Sequence, residues 1–209
     1  SILMFVRLKK TQGSAGQVFV SKARTHILKG EFMLPTPKAC IQREMCVYHL
    51  LSSRQIRWAP RLLCSNTTHG IMIVTHAGAA VSSANLPSNY RVQAHRILSD
   101  MASIGLRHND IIKAGPALVH IRNNSQFGHN FEVTVRDGKL QLLDFSWASI
   151  NGSYSCEPGI PGELSQYFHP MNDSYLLSAL DVLALPTVSA RNHHYASIQA
   201  RLCKRHRSL

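Results

Sequence analysis

The chain has 209 residues, 44% of them hydrophobic, and a formal net charge of +12 at pH 7. That apolar fraction can form a packed core and argues against a disordered chain, and no apolar run approaches the roughly 20 residues that a membrane span needs. The positive charge favours acidic partners, which we expect to be an acidic protein or a phosphorylated substrate.

The N-terminal part of the sequence predicts two β-hairpins with a helix between them. SILMFVRLKK and QVFVSKA are strand-like segments on either side of the turn sequence TQGSAG. ACIQREMCVYHLLSS repeats its apolar residues at helical spacing, at Ile41, Met45, Tyr48 and Leu51. APRLLCS and GIMIVTHAG then flank the turn sequence NTTH, which predicts the second hairpin.

The following part predicts a long helix, a third hairpin and helices near the C-terminus. The helix lies in NLPSNYRVQAHRILSDMASIGLR and ends at Gly105, with one apolar face formed by Ala94, Ile97, Leu98, Met101 and Ala102. FEVTVRDGKLQLLDFSW contains two strands around an Arg-Asp-Gly turn. DSYLLSALDVLAL and HHYASIQARLC have helical spacing.

Five segments follow one another along these elements, within roughly residues 15–150: VFVSK, QREMCVYHLL, IMIVTHAG, RHND and LLDFSW. In this order they resemble the protein-kinase-like superfamily, including its aminoglycoside-phosphotransferase and lipopolysaccharide-kinase relatives. The resemblance implies an α+β, bilobal fold. It would have a small antiparallel N-lobe over residues 1–77 and a reduced, mainly helical C-lobe over residues 78–209.

The resemblance also implies an ATP- and Mg²⁺-dependent phosphotransferase that acts on a hydroxyl substrate. VFVSK is similar to the strand with the phosphate-binding lysine, which selects Lys22, and QREMCVYHLL to the helix whose glutamate, here Glu44, pairs with it. The backbone from Thr75 to Ala77 would hydrogen-bond the adenine. RHND resembles the catalytic loop in a His-Asn-Asp form, so Asp110 would accept the substrate proton.

The resemblance assigns the metal ligands to Asp144 and Asn130. LLDFSW resembles the Asp-Phe-Gly segment, in which Asp144 would hold Mg²⁺. The residue five positions after Asp110 is a glycine rather than the expected asparagine, but Asn130 stands directly before the hairpin that leads to Asp144. An insertion within residues 111–129 would account for this spacing. Asn123 and Asn124 are further candidates for the same role.

Several departures from the family pattern support a second hypothesis, a non-catalytic, kinase-like subunit of a larger assembly. No Gly-x-Gly-x-x-Gly loop is present, Ser146 replaces the glycine of Asp-Phe-Gly, and no Ala-Pro-Glu segment follows. A third class, a nucleic-acid-binding module, depends on charge alone. No zinc finger or basic strand with interleaved aromatics supports it, so we do not expect nucleic acid as the partner.

Cysteine usage and the first residues bear on the compartment. The five cysteines contain no Cys-x-x-Cys pair, which argues against a zinc ribbon or a disulfide scaffold and favours a reducing compartment. The basic residues of SILMFVRLKK follow the apolar ones, which is the reverse of a signal peptide. We therefore expect an intracellular location, in the cytoplasm or an organelle interior.

Overall fold

A five-stranded antiparallel sheet forms the N-terminal part of the protein. The structure is a computed structural model, and it describes residues 5–13, 16–30, 38–111, 132–152, 172–187, 189–191, 193–194 and 197. The strand order is β1-β2-β3-β5-β4. The strands are β1 (Phe5–Gly13), β2 (Gly16–Ser21), β3 (His26–Gly30), β4 (Leu62–Asn66) and β5 (Ile71–Thr75).

Both hairpins predicted for this part are confirmed, but the sheet also contains a strand that the sequence does not predict. β1 pairs with β2 and β4 with β5, each antiparallel. The missed strand, β3, lies between the two hairpins and pairs with β2 on one side and β5 on the other. Its central position decides which lysine lies against the helix.

The predicted helix follows as α1 (Lys38–Ser53). Its expected apolar residues, Ile41, Met45, Tyr48 and Leu51, are all buried. The helix lies against β4 and against a 3₁₀ turn, Phe145–Trp147. Because helical residues three and four apart share a face, the charged residue Glu44 is buried with these apolar neighbours.

The second long helix is α2 (Tyr90–Ser103), and Gly105 follows it with a φ of 66°. This left-handed backbone is the reason for a glycine just beyond the helix end. Ala94, Ile97 and Met101 are buried as expected. Ala102 is exposed, so its place on the apolar face was wrong.

A three-stranded sheet contains the third predicted hairpin. Its strands are β6 (Ala79–Ala80), β8 (Val133–Arg136) and β9 (Lys139–Leu142), in the order β6-β8-β9. The β8–β9 turn has positive φ at both central residues, 51° at Asp137 and 70° at Gly138. Such a turn matches the twist of the paired strands, which explains the strength of the Asp-Gly signal.

The remaining elements close the core around α2. Two short strands, β7 (Leu106–Arg107) and β10 (Ser149–Ile150), pair antiparallel. A second 3₁₀ turn, Asn172–Tyr175, leads into α3 (Leu176–Leu183), which packs on α2. α3 falls within the predicted segment DSYLLSALDVLAL, whereas most of HHYASIQARLC lies outside the described residues.

The fold is therefore α+β, with a small antiparallel sheet and a few helices, which agrees with the class expected from the sequence. The core is continuous from α1 through Phe145 to α2 and α3. Among the helices that the structure describes, none has the length and apolar character to cross a bilayer.

Candidate functional site

A buried ion pair joins the sheet to α1, and its lysine is Lys29. Lys29 Nζ lies 2.5 Å from Glu44 Oε2, and the two side chains are 10% and 2% exposed. Lys29 shares a face of β3 with Ile27, and Ile27 packs against the core. That face is directed at α1, so the lysine meets Glu44.

The pairing of Glu44 with Lys22 that the resemblance implied was wrong. β2 ends at Ser21, and Lys22 lies exposed in the turn between β2 and β3. The segment QVFVSKA predicts a strand that extends to Ala23 and contains Lys22. The polar turn ends the strand first.

Asp144 also binds Lys29, at 2.7 Å between Oδ1 and Nζ. Its backbone is left-handed, with φ 61° and ψ 67°, an uncommon conformation for a residue other than glycine. The hydroxyl of Ser146 lies 2.6 Å from the same Asp144 oxygen and 3.2 Å from Glu44 Oε2. Ser146 therefore bridges the two carboxylates that share the lysine.

The electrostatics keep Lys29 charged. Burial alone would lower its pKa, but the charges of Asp144 and Glu44 outweigh burial, so the pKa of Lys29 lies well above its usual value. Burial raises the pKa of Glu44, and the positive charge of Lys29 opposes that rise. A second buried cation, Arg43, donates a hydrogen bond of 2.7 Å to the carbonyl oxygen of Ser146. Two cations thus accompany the two carboxylates.

Phe145 connects this network to the His108 loop. Its ring packs against His108, with ring centroids 4.9 Å apart, and edge-on against Tyr48 of α1 at 5.3 Å. His108 and Phe145 are both fully buried. His108 Nε2 lies 2.9 Å from the carbonyl oxygen of Leu143, which can only accept, so this nitrogen carries the proton.

Asp173 holds the backbone of the loop that contains Asp110. Its two carboxylate oxygens accept the backbone N–H groups of His108 and Asn109, at 2.8 and 2.9 Å. Asn109 is left-handed, with a φ of 64°, and its side chain donates to the carbonyl oxygen of Trp147 at 3.0 Å. Asp110 N–H then donates to His108 Nδ1 at 3.3 Å. The loop is fixed mainly through its backbone, and the side chain of Asp110 is half-buried at its end.

Asn130 lies outside the described residues, as do Asn123 and Asn124. The described residues on either side of that segment are nevertheless in contact, because the Glu132 N–H donates to the carbonyl oxygen of Ile111 at 2.9 Å. This contact brings the chain back beside the His108 loop. The insertion expected within residues 111–129 stays a prediction, because nearly all of that segment lies outside the described residues.

The connection from β5 to β6 contains the backbone that was expected to bind adenine. The N–H groups of Thr75 and His76 donate to the carbonyls of Arg61 and Thr25. The carbonyl of His76 accepts from Arg136, and that of Ala77 accepts from the Thr134 hydroxyl, at 2.8 and 2.7 Å. A base at this connection would have to share acceptors that already have one partner.

The oxygen atoms of this site are partly suited to a hard cation such as Mg²⁺. Asp144 supplies carboxylate oxygen, which Mg²⁺ prefers, and its side chain is 24% exposed, the most open in the network. Within the described residues, no three His, Cys, Asp or Glu side chains form a metal-binding group. Mg²⁺ is commonly held by one or two protein ligands together with phosphates, so Asp144 fits such a site.

Three residues of this site were missed or unassigned in the sequence analysis: Lys29, Ser146 and Asp173. The pair Ile27–Leu28, between a polar turn and Gly30, is a short strand signal that could have located Lys29. In the sequence, Ser146 is notable only because it replaces the glycine of Asp-Phe-Gly. Asp173 has no local signal, because its partners lie 64 and 65 residues away.

No model of a known protein family matches this sequence, and no curated protein matches it.

Proposed function

We propose that the protein has a kinase-like bilobal fold and is an ATP- and Mg²⁺-dependent phosphotransferase that acts on a hydroxyl group. The observation that carries the proposal is the buried network of Lys29, Glu44 and Asp144. A lysine oriented by one carboxylate and adjacent to a second, more open one is the arrangement that phosphoryl transfer needs. That reaction depends on positioning and on charge neutralisation.

In this proposal each described residue has a separate task. Lys29 takes the role that the sequence analysis gave to Lys22 and holds the α- and β-phosphates, while Glu44 orients it. Asp144, with Asn130 as the expected second ligand, holds Mg²⁺, which neutralises phosphate charge when bound. Asp110 accepts the proton of the substrate hydroxyl. At the same time the oxygen of that hydroxyl bonds to the γ-phosphorus, and the bond between the γ-phosphorus and ADP breaks.

Phosphotransfer would be tested with radiolabelled ATP, Mg²⁺ and panels of protein, sugar and lipid-headgroup acceptors. We expect transfer to an acceptor hydroxyl, and a loss of about 100-fold or more with Asp110→Asn, which cannot accept the proton. Full turnover by Asp110→Asn would contradict the role of Asp110. Absence of transfer to any acceptor, with Mg²⁺-ATP binding retained, would favour the second candidate below.

The Lys29 assignment has a matched control in Lys22. Lys29→Ala should abolish binding of Mg²⁺-ATP in a titration, whereas Lys22→Ala should leave it unchanged, because Lys22 is exposed in a turn. Thermal melts of both variants would check that each remains folded. Equal binding by the two variants would contradict the assignment.

The second candidate is a kinase-like, non-catalytic subunit of a larger assembly. Two observations favour it: the backbone carbonyls of His76 and Ala77 already have side-chain donors, and Asp144 is bound by both Lys29 and Ser146. Binding of Mg²⁺-ATP without turnover would support a nucleotide-sensing form of this candidate. No binding at all would support a purely structural role.

A further inference from the structure

A cleft lies apart from the candidate site, between three segments of the chain. Its volume is about 780 Å³, and its walls are residues 54–58, one face of α2 together with residue 89 just before it, and residues 137–140 of the β8–β9 hairpin. None of Lys29, Glu44, Asp110 and Asp144 lines it. The volume is within the range of about 300–1,000 Å³ that ligand sites occupy.

Hydrogen bonds hold the three walls together. The Gln93 side chain donates to the carbonyl of Gly138 at 3.0 Å and accepts from the Leu140 N–H at 2.8 Å, which joins α2 to the β8–β9 turn. The carbonyl of Trp58 accepts the Leu142 N–H at 2.9 Å, which joins residues 54–58 to β9. The cleft is therefore a preformed feature of the fold, so a ligand would not have to order it.

The charges in this cleft are unbalanced. Four cations line it, Arg54, Arg57, Arg96 and Lys139, against two carboxylates. Both carboxylates have partners: Asp100 accepts the Trp58 indole N–H at 3.0 Å and lies 3.9 Å from Arg96, and Asp137 lies 3.6 Å from Arg136. Arg54, Arg57 and Lys139 are exposed, and their charged groups make no ion pair with any residue that the structure describes.

We propose that this cleft is a docking site for an acidic peptide segment of a partner protein, with an apolar side chain between its carboxylates. These three cations come from two walls, which suits several separated carboxylates better than one compact anion. Guanidinium groups bind carboxylates in a fork geometry. Ile56 is half-buried and lines the same cleft as the buried Trp58 and Leu140, so the cleft also offers an apolar contact. The proposal does not depend on catalysis at the Lys29 network.

The test uses two fluorescein-labelled peptides, one of glutamates around a central phenylalanine and one in which lysines replace the glutamates. Fluorescence anisotropy at physiological salt should show binding of the glutamate peptide and not of the lysine peptide. The variant Arg54→Gln/Arg57→Gln/Lys139→Gln should bind at least about tenfold more weakly. The control variant Lys22→Gln/Arg24→Gln/Arg61→Gln removes the same charge from exposed positions outside the cleft and should bind within about twofold of the unaltered protein.

Equal weakening in the two variants would show diffuse attraction to a basic protein and would overturn the proposal. Absence of binding by the unaltered protein would also overturn it. Inorganic pyrophosphate is added as a competitor. If it displaces the peptide at a concentration near the peptide's own Kd, the cleft is a site for small phosphate anions and not for a peptide. Melting temperatures of both variants within a few degrees of the unaltered protein confirm that the comparison concerns folded chains.

Discussion

The Lys29 network and the His108 loop hold their polar groups in opposite ways. In the network, side chains hold side chains: Lys29 forms ion pairs with Glu44 and Asp144, and Ser146 forms hydrogen bonds with both carboxylates. In the loop, a side chain holds backbone, since Asp173 accepts two consecutive N–H groups. Phe145 lies between the two and packs on His108.

The difference determines what each part tolerates. A charge network can exchange partners, so Asp144 can leave Lys29 for another cation without a change of backbone. A loop held through two backbone N–H groups has one geometry, because those groups are fixed by the local φ and ψ. We infer that Asp110 is presented rigidly, whereas Asp144 is the adjustable group of the site.

The largest effect is expected from Lys29→Met, which leaves two carboxylates facing each other in a buried site. Removing one partner of a buried ion pair costs about 3–5 kcal/mol of unfolding free energy. Because burial already raises the pKa of Glu44, and the variant loses the opposing charge, Glu44 takes up a proton more readily. The difference in unfolding free energy between Lys29→Met and the unaltered protein should therefore become smaller as the pH falls. Urea denaturation at two pH values measures both effects.

Lys22→Met is the matched control for that change. Lys22 is exposed in a turn, and surface substitutions of this kind usually shift stability by about 0.5 kcal/mol or less. If Lys22→Met were as destabilising as Lys29→Met, the placement of Lys29 at Glu44 would be wrong.

Asp173→Ala comes next and tests the loop. The change leaves two backbone donors without their acceptor, and hydrogen bonds to a charged group contribute about 1.5–3 kcal/mol each, so a loss near 3 kcal/mol is expected. Asp181→Ala is the control, since Asp181 binds two side chains, the Tyr90 hydroxyl and Arg91, and its own side chain is 37% exposed. There we expect a loss of about 1 kcal/mol or less. Equal losses would mean that Asp173 is an ordinary surface carboxylate.

These two parts of the site also differ in how much of them the sequence could predict. Periodicity predicted α1, the helix on which Glu44 is buried. The Asp-Gly turn predicted the hairpin that ends just before Asp144. Lys29 was missed because β3 is five residues long and has only two consecutive apolar residues, too short for a periodic signal. Four of the five strands of the N-terminal sheet were predictable from the sequence. The strand order that places β3 in the middle of the sheet depends on pairing between strands distant in sequence.

Asp173 could not be predicted for a different reason. Nothing in the sequence near it marks a carboxylate that accepts backbone N–H groups, because its partners are distant in sequence. The exposed Ala102 has a related cause, since periodicity gives the direction of the apolar face and tertiary packing sets its width. Local patterns therefore predicted elements, while the contacts between elements required the fold.

Ser146→Ala should have a smaller effect and tests the link within the network. The variant removes a hydroxyl that lies between Asp144 and Glu44, but Lys29 still binds both carboxylates, so we expect a loss of about 1 kcal/mol. Ser103→Ala, which removes an exposed hydroxyl bonded to a helix carbonyl, should cost less than about 0.5 kcal/mol. A loss at Ser146 no larger than at Ser103 would show that the bridge does not stabilise the network.

The smallest effect concerns His76, where the sheet and the β8–β9 hairpin meet. Its Nδ1 accepts the N–H of Gly78 at 3.0 Å, and burial, with the charges of Arg136 and Arg24, lowers its pKa. A histidine with a lower pKa when folded resists protonation, so its contribution to stability is present above the unfolded pKa of about 6.5 and is lost as the pH falls through the lower folded value. His76→Gln should therefore flatten the fall in melting temperature between pH 8 and pH 5, whereas His95→Gln, on the exposed face of α2, should leave its slope unchanged. The contrary outcome is that both variants show the same dependence of melting temperature on pH as the unaltered protein. In that case protonation of His76 would not contribute to the acid sensitivity, and its source would lie in the five-stranded sheet or in the β8–β9 hairpin.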